Sequence, residues 1–164
     1  MLVAWGLKHH YAVARADELW WILTPTARVV GVATGTAFQS IPGEGYVSRE
    51  HLFVIEKSCA GVNFMIAAFA MMVLTFYHRI TSGISGAHVL AVSLVASYGA
   101  AVLVNAARIT MAMWLAAHPL AASGLSAAEV HRLEGIAVYV AGLVVLYEIA
   151  LRLERSVVTA KVRS

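Results

Sequence analysis

From Ser58 to Ala128 the chain carries only two charged side chains, Arg79 and Arg108, and this absence restricts the possible folds more than any motif does. Residues 60–77, 87–108 and 135–151 each approach or meet the roughly 20 residues that a bilayer core of about 30 Å demands of a helix. Hydrophobic residues make up 60% of the 164 and charged residues 13%, with a mean hydropathy of +0.77. A soluble domain carries about 25% charged residues. The expected fold is an all-α polytopic membrane protein, one integral membrane domain over residues 1–164 with three firm transmembrane helices. The basic residues form no stripe with interleaved aromatics, which argues against nucleic acid and leaves membrane lipids as the surrounding partner. Residues 1–7 are too short an apolar stretch for a signal peptide and are followed, not preceded, by Lys8. They read as the remains of a first helix that begins upstream.

The remaining segments are read from punctuation. Residues 19–38 carry Trp20, Leu23, Ala27 and Val30 at helical spacing, with Pro25 expected in the first turn. This is an interfacial helix or a fourth span, with Trp20 and Trp21 suited to the headgroup level. Ile41-Pro42-Gly43-Glu44-Gly45 is turn material. A small extracytoplasmic β-hairpin is expected to follow, with Tyr46-Val47 and residues 52–55 as its strands, delivering the chain to Cys59. Ser126-Ala127-Ala128-Glu129 has the form of a capping box at the start of the last helix, and Glu148 with Arg152 an i,i+4 pair near its end. Residues 109–117 extend the second helix or fold back along the surface before His118-Pro119. Arg152, Arg155, Lys161 and Arg163 assign the C-terminus to the cytoplasm, and Arg79 the loop at 78–86. Three crossings then bring Cys59, Arg108 and His131 to the outer face.

Each of the three has a bland reading and a chemical one. Cys59 is the only cysteine, so it forms no internal disulfide and is either small packing or a reactive thiol at a helix mouth. Arg108 stands inside an apolar run, where a charge costs about 2.5–3.5 kcal/mol and needs a partner or a polar cavity, unless it snorkels to headgroups. His131 is a surface residue or a general acid/base. Glu134 is an ordinary surface carboxylate, or the group that orients His131. As a set they match nucleophilic catalysis: a thiolate, an imidazole to carry its proton, and a cation for the oxyanion. Ser58 or Ser126 as a nucleophile lacks any elbow pattern. His9-His10 has no Cys/His set at a familiar spacing, so neither metal nor cofactor is called for. The alternative class is a non-catalytic membrane subunit, a transporter or assembly component in which Cys59 and Arg108 are structural.

Ser58-Cys59-Ala60-Gly61, then Asn105-Ala106-Ala107-Arg108 in an apolar helix, then His131 before a final span, resemble the exosortase/archaeosortase family. Pro25-Thr26-Ala27, Gly45-Tyr46-Val47 and Ser58-Cys59-Ala60-Gly61-Val62-Asn63-Phe64 look most like its exosortase K branch, and the resemblance covers about residues 19–152. It implies a multi-pass cysteine transpeptidase or protease of the bacterial inner membrane, with its active site on the extracytoplasmic face. The implied partners are exported proteins with a C-terminal sorting signal and transmembrane helix. Cys59 is then the nucleophile, Arg108 the transition-state or substrate-positioning residue, and His131 the general acid/base. Larger members carry more membrane helices than the three firm ones here.

Overall fold

The computed structural model describes residues 2–50, 52–118 and 126–163. Among them are five helices: α1 (Leu2–Val13), α2 (Trp20–Thr34), α3 (Val62–Thr75), α4 (Gly83–Ala117) and α5 (Ala127–Arg163). A three-stranded antiparallel sheet lies between α2 and α3: β1 (Gln39–Ile41), β2 (Gly45–Ser48) and β3 (Phe53–Ile55), in that order. Three helical stretches are long and apolar enough to cross a membrane: Lys57–Thr75, Gly83–Ala117 and Ala128–Ser156. The chain is a membrane protein with about three helical spans. The outward faces agree with this, since Ile136, Val140, Val144 and Ile149 on α5 and Leu90, Val95 and Leu103 on α4 are exposed. Such a surface matches lipid and would be an aggregation site in water.

The central element is α4, against which α2, α3 and α5 all pack. Ser82 starts it with a capping box: Ser82 Oγ accepts from Ser85 N at 3.2 Å and Ser85 Oγ accepts from Ser82 N at 2.9 Å. The helix then runs 35 residues, about 52 Å, through 109–117 without folding back. Pro119 lies outside the described residues. Its buried positions are mostly small, including Ser93, Ser97, Ala101, Ala106 and Ala112, and small residues let neighbouring helices approach closely. The same logic holds at Gly142 of α5, where a Cβ would stand 2.7 Å from Val104 Cγ1 and 3.2 Å from Phe64 Cε2.

Helix α2 is 15 residues long, about 22 Å, which is short of a crossing, and it buries Ile22, Leu23, Ala27 and Val30. Pro25 lies inside the helix rather than in its first turn. Having no N–H, it leaves the Trp21 carbonyl without its usual donor, and Tyr98 Oη of α4 donates to that carbonyl at 2.6 Å. The proline therefore ties α2 to α4.

The expected hairpin is a three-stranded sheet. Tyr46 pairs with Ile55 and Val47 with Val54, as a hairpin requires, but Gln39 to Ile41 adds a strand on the other edge of β2. Leu52 drops out of β3 because its φ is 50°, which breaks the extended backbone. Gly45 has φ 105°, and a Cβ there would meet Ile55 O at 2.4 Å, so only glycine lets β2 pass β3. Residues 2–13 are helical through Lys8-His9-His10, and α1 packs against α3.

At α5 the expected capping box is present: Glu129 Oε2 accepts from Ser126 N at 2.8 Å and Ser126 Oγ accepts from Glu129 N at 3.3 Å. The expected Glu148–Arg152 pair does not form, since an exposed helical pair gains too little to hold two long side chains together. The ion pair at this end instead joins Glu154 to His78, just beyond α3, at 2.6 Å.

Gly142→Ala is expected to destabilise the α4–α5 contact by about 1–3 kcal/mol, because Val104 cannot give way without opening the seam. Gly99→Ala, where a Cβ meets nothing within 4 Å, is expected to be neutral or stabilising by up to about 1 kcal/mol. Thermal unfolding in detergent micelles checks both.

Candidate active site

Three helix ends converge at one pole of the bundle. Cys59 ends a 3-10 turn, Lys57–Cys59, which lies just before α3. Its amide donates to Glu56 O at 2.9 Å. The thiol therefore stands at the mouth of α3, as expected: Gly61 is the N-cap, and it turns the chain into the helix with φ 68°. A Cβ at Gly61 would stand 3.0 Å from the Asn105 side chain, so the glycine of Ser58-Cys59-Ala60-Gly61 serves both the turn and the approach of α4.

Asn105 is fully buried, and its Nδ2 donates to the Cys59 carbonyl. Its Oδ1 accepts from Tyr139 Oη of α5 at 2.9 Å. Tyr139 Oη in turn accepts from Arg108 Nη1 at 3.4 Å, and the guanidinium lies 5.3 Å from the Tyr139 ring centroid. Phe64 of α3 packs against the same ring at 5.4 Å. Arg108 Nη2 meets His131 Nε2 at 3.3 Å. Gly135 makes room for this, since a Cβ there would be 2.8 Å from Arg108 Nε. Arg108 thus faces partners inside the protein rather than snorkelling away, and it is joined to His131 directly and to the Cys59 backbone through two side chains.

The proton positions follow from donor chemistry. Arginine has no acceptor, so Nε2 of His131 presents its lone pair and the ring proton sits on Nδ1. Nδ1 faces Glu134 Oε2 at 3.8 Å. Glu134 is not the surface carboxylate expected, because its side chain is only 6% exposed. Helix α5 turns that side chain toward α4, and neither of its oxygens nor Arg108 Nε has a hydrogen-bond partner.

The thiol itself is half-buried, and its nearest hydrogen-bonding neighbour is Ser58 Oγ at 3.7 Å. It makes no hydrogen bond to His131. Ser58 Oγ donates to Glu56 Oε1 at 2.7 Å and Ser126 Oγ to Glu129 Oε2 at 2.7 Å, and neither hydroxyl bonds to His131. On its far side the turn is clamped by α1: Lys57 Nζ donates to Ala12 O at 3.1 Å, and Tyr11 Oη donates to Lys57 O at 3.3 Å.

Tyr139 and Tyr11 escaped the sequence reading. The signal for Tyr139 was present, since 131, 135 and 139 recur at helical spacing and so share one face of α5. Asn105 and Arg108 share a face of α4 in the same way. Nothing local marks Tyr11, which reaches Lys57 across 46 positions of chain.

Burial, with the nearby Cys59 adding to it, pushes the Tyr11 phenol above its ordinary value of 10.0. The folded chain keeps this proton longer than the unfolded one. The contribution is complete below the unfolded value near 10.0 and is lost as pH rises through the folded one. Stability is therefore expected to fall with alkaline pH, and Tyr11→Phe to flatten part of that fall. Unfolding midpoints measured across alkaline pH check this; an unchanged slope in the variant would refute it.

No protein-family model, curated protein or solved structure matches the chain.

Proposed function

We propose that the chain is a membrane-embedded cysteine transpeptidase or protease of the exosortase/archaeosortase type, acting at the extracytoplasmic face of a bacterial inner membrane on C-terminal sorting signals of exported proteins. One observation carries the reading. The Arg108 guanidinium touches His131 and is coupled through Tyr139 and Asn105 to the backbone of Cys59. The motif residues that suggested the resemblance thus belong to a single polar chain.

In this mechanism the Cys59 thiolate attacks the carbonyl carbon of the scissile peptide bond, and Arg108 holds the developing oxyanion. His131 Nε2 takes the thiol proton once Arg108 turns from the imidazole to the substrate carbonyl. The C–N bond breaks as His131 returns that proton to the leaving amine, which departs with the cleaved transmembrane helix. The resulting thioester is opened by an acceptor amine or water, with His131 again taking the proton. Glu134, 3.8 Å from Nδ1, fixes the required tautomer when the ring moves to within hydrogen-bond distance of it.

A second reading has its own support. The thiol is not bonded to His131, and Arg108 occupies the imidazole lone pair, as a purely structural Arg–His contact would. In that case the chain is a non-catalytic membrane subunit. Against it stands the looseness common to unliganded catalytic hydrogen bonds.

Processing of an exported reporter bearing a C-terminal sorting signal separates the two, read in native membranes by gel mobility. Cys59→Ala is expected to abolish it, His131→Ala to slow it roughly 10²–10⁴-fold and Arg108→Lys roughly 10²–10³-fold. A membrane-impermeant maleimide is expected to label Cys59 from the outer face. Undiminished processing in Cys59→Ala sinks the enzymatic reading.

A further inference from the structure

We infer that Tyr139 is a positioning residue that fixes the Arg108 guanidinium and, through Asn105, the turn carrying Cys59. The relay has one direction only. Arginine can only donate, so the Tyr139 oxygen accepts from Nη1 and its own proton must go elsewhere. It goes to Asn105 Oδ1 at 2.9 Å. That leaves the Asn105 amide group pointing at the Cys59 carbonyl, which can only accept. A donor-only group at one end and an acceptor-only group at the other leave no member free to flip without losing two bonds. Bonds aligned in series also polarise one another in a low-dielectric interior.

Packing closes the remaining freedom. The Tyr139 ring centroid lies 5.3 Å from the guanidinium and 5.4 Å from the Phe64 ring of α3. Gly135, one turn earlier on α5, admits Arg108 Nε to a position a Cβ would block. Tyr139 therefore joins all three spans: its ring touches α3, its hydroxyl bridges two residues of α4, and its backbone belongs to α5. Loss of the hydroxyl alone, as in Tyr139→Phe, keeps the ring packing but frees Asn105 to turn over and leaves Nη1 without its acceptor.

The inference rests on Cys59 and Arg108 sharing one site, and its test needs no substrate. Because Cys59 is the only cysteine, iodoacetamide alkylation of the full chain in lipid nanodiscs reports on that thiol alone. The rate is measured against pH for the unaltered chain, Tyr139→Phe, Asn105→Leu, and Tyr147→Phe, an exposed tyrosine of the same helix. Freeing Asn105 releases the turn that carries the thiol, so Tyr139→Phe is expected to change the rate roughly five- to tenfold. Asn105→Leu is expected to move it the same way, and serves alone if Tyr139→Phe does not fold. Tyr147→Phe is expected to superimpose on the unaltered chain. In an Asn105→Leu background, Tyr139→Phe is expected to add nothing, because its path to Cys59 runs through Asn105. A Tyr139→Phe profile coincident with the unaltered one, or an effect that persists in full beside Asn105→Leu, overturns the positioning role. Either result with processing still abolished in Cys59→Ala would overturn the relay while leaving the proposed activity standing.

Discussion

A permanent positive charge inside an apolar helix has to be solvated by the protein that carries it, and the interior of this bundle is arranged around that requirement at Arg108. Its insertion costs about 2.5–3.5 kcal/mol if nothing meets it. Here α5 supplies a phenol, an imidazole and a buried carboxylate near one end, and a glycine where the guanidinium passes closest. These groups all belong to the first four turns of α5, and they can reach Arg108 only if α5 runs back alongside the C-terminal part of α4. The charge therefore selects the antiparallel register of the two longest helices.

The scaffold that holds Cys59 depends on two breaks in regular structure, each answered by a neighbour. Pro25 removes a donor from α2, and Tyr98 replaces it, locking α2 to α4. Gly61 ends the 3-10 turn in a left-handed conformation, and the space it leaves is taken by Asn105. On the opposite side, Lys57 and Tyr11 exchange bonds with α1 and the turn. The cysteine is thus held by its backbone from two sides while its side chain stays half-open, which suits a group meant to meet something from outside.

For the proposed chemistry the resting arrangement is informative in what it withholds. Arg108 engages the same imidazole nitrogen that a thiol would need as its base. In that state the thiol is left with a serine hydroxyl at 3.7 Å and no base. A substrate carbonyl that competes for the guanidinium would therefore do two things together: form the oxyanion contact and release the base. Coupling activation to substrate in this way would spare a lone membrane thiol from idle oxidation, to which a standing thiolate is prone.

The sequence by itself determined the class of fold and the cast of the site. Uncharged runs of sufficient length leave a chain few options but to cross a bilayer, and capping signals such as Ser126 with Glu129 are local enough to be read directly. Cys59, Arg108 and His131 stood out because each is chemically out of place in its surroundings. Other features were decided only in three dimensions. The third strand formed because Gln39–Ile41 found an edge of β2 to pair with, and β-pairing depends on the partner more than on the strand. Glu134 became a buried group because α5 packs that face against α4. Tyr139 and Tyr11 gained their roles from contacts across 34 and 46 positions, between elements whose relative placement no local pattern encodes. Local preferences choose helix, turn and span; which polar side chains then meet is settled by packing between helices, which joins Arg108 Nη1, Tyr139 and Asn105 in series while Arg108 Nε and Glu134 stay without hydrogen-bond partners.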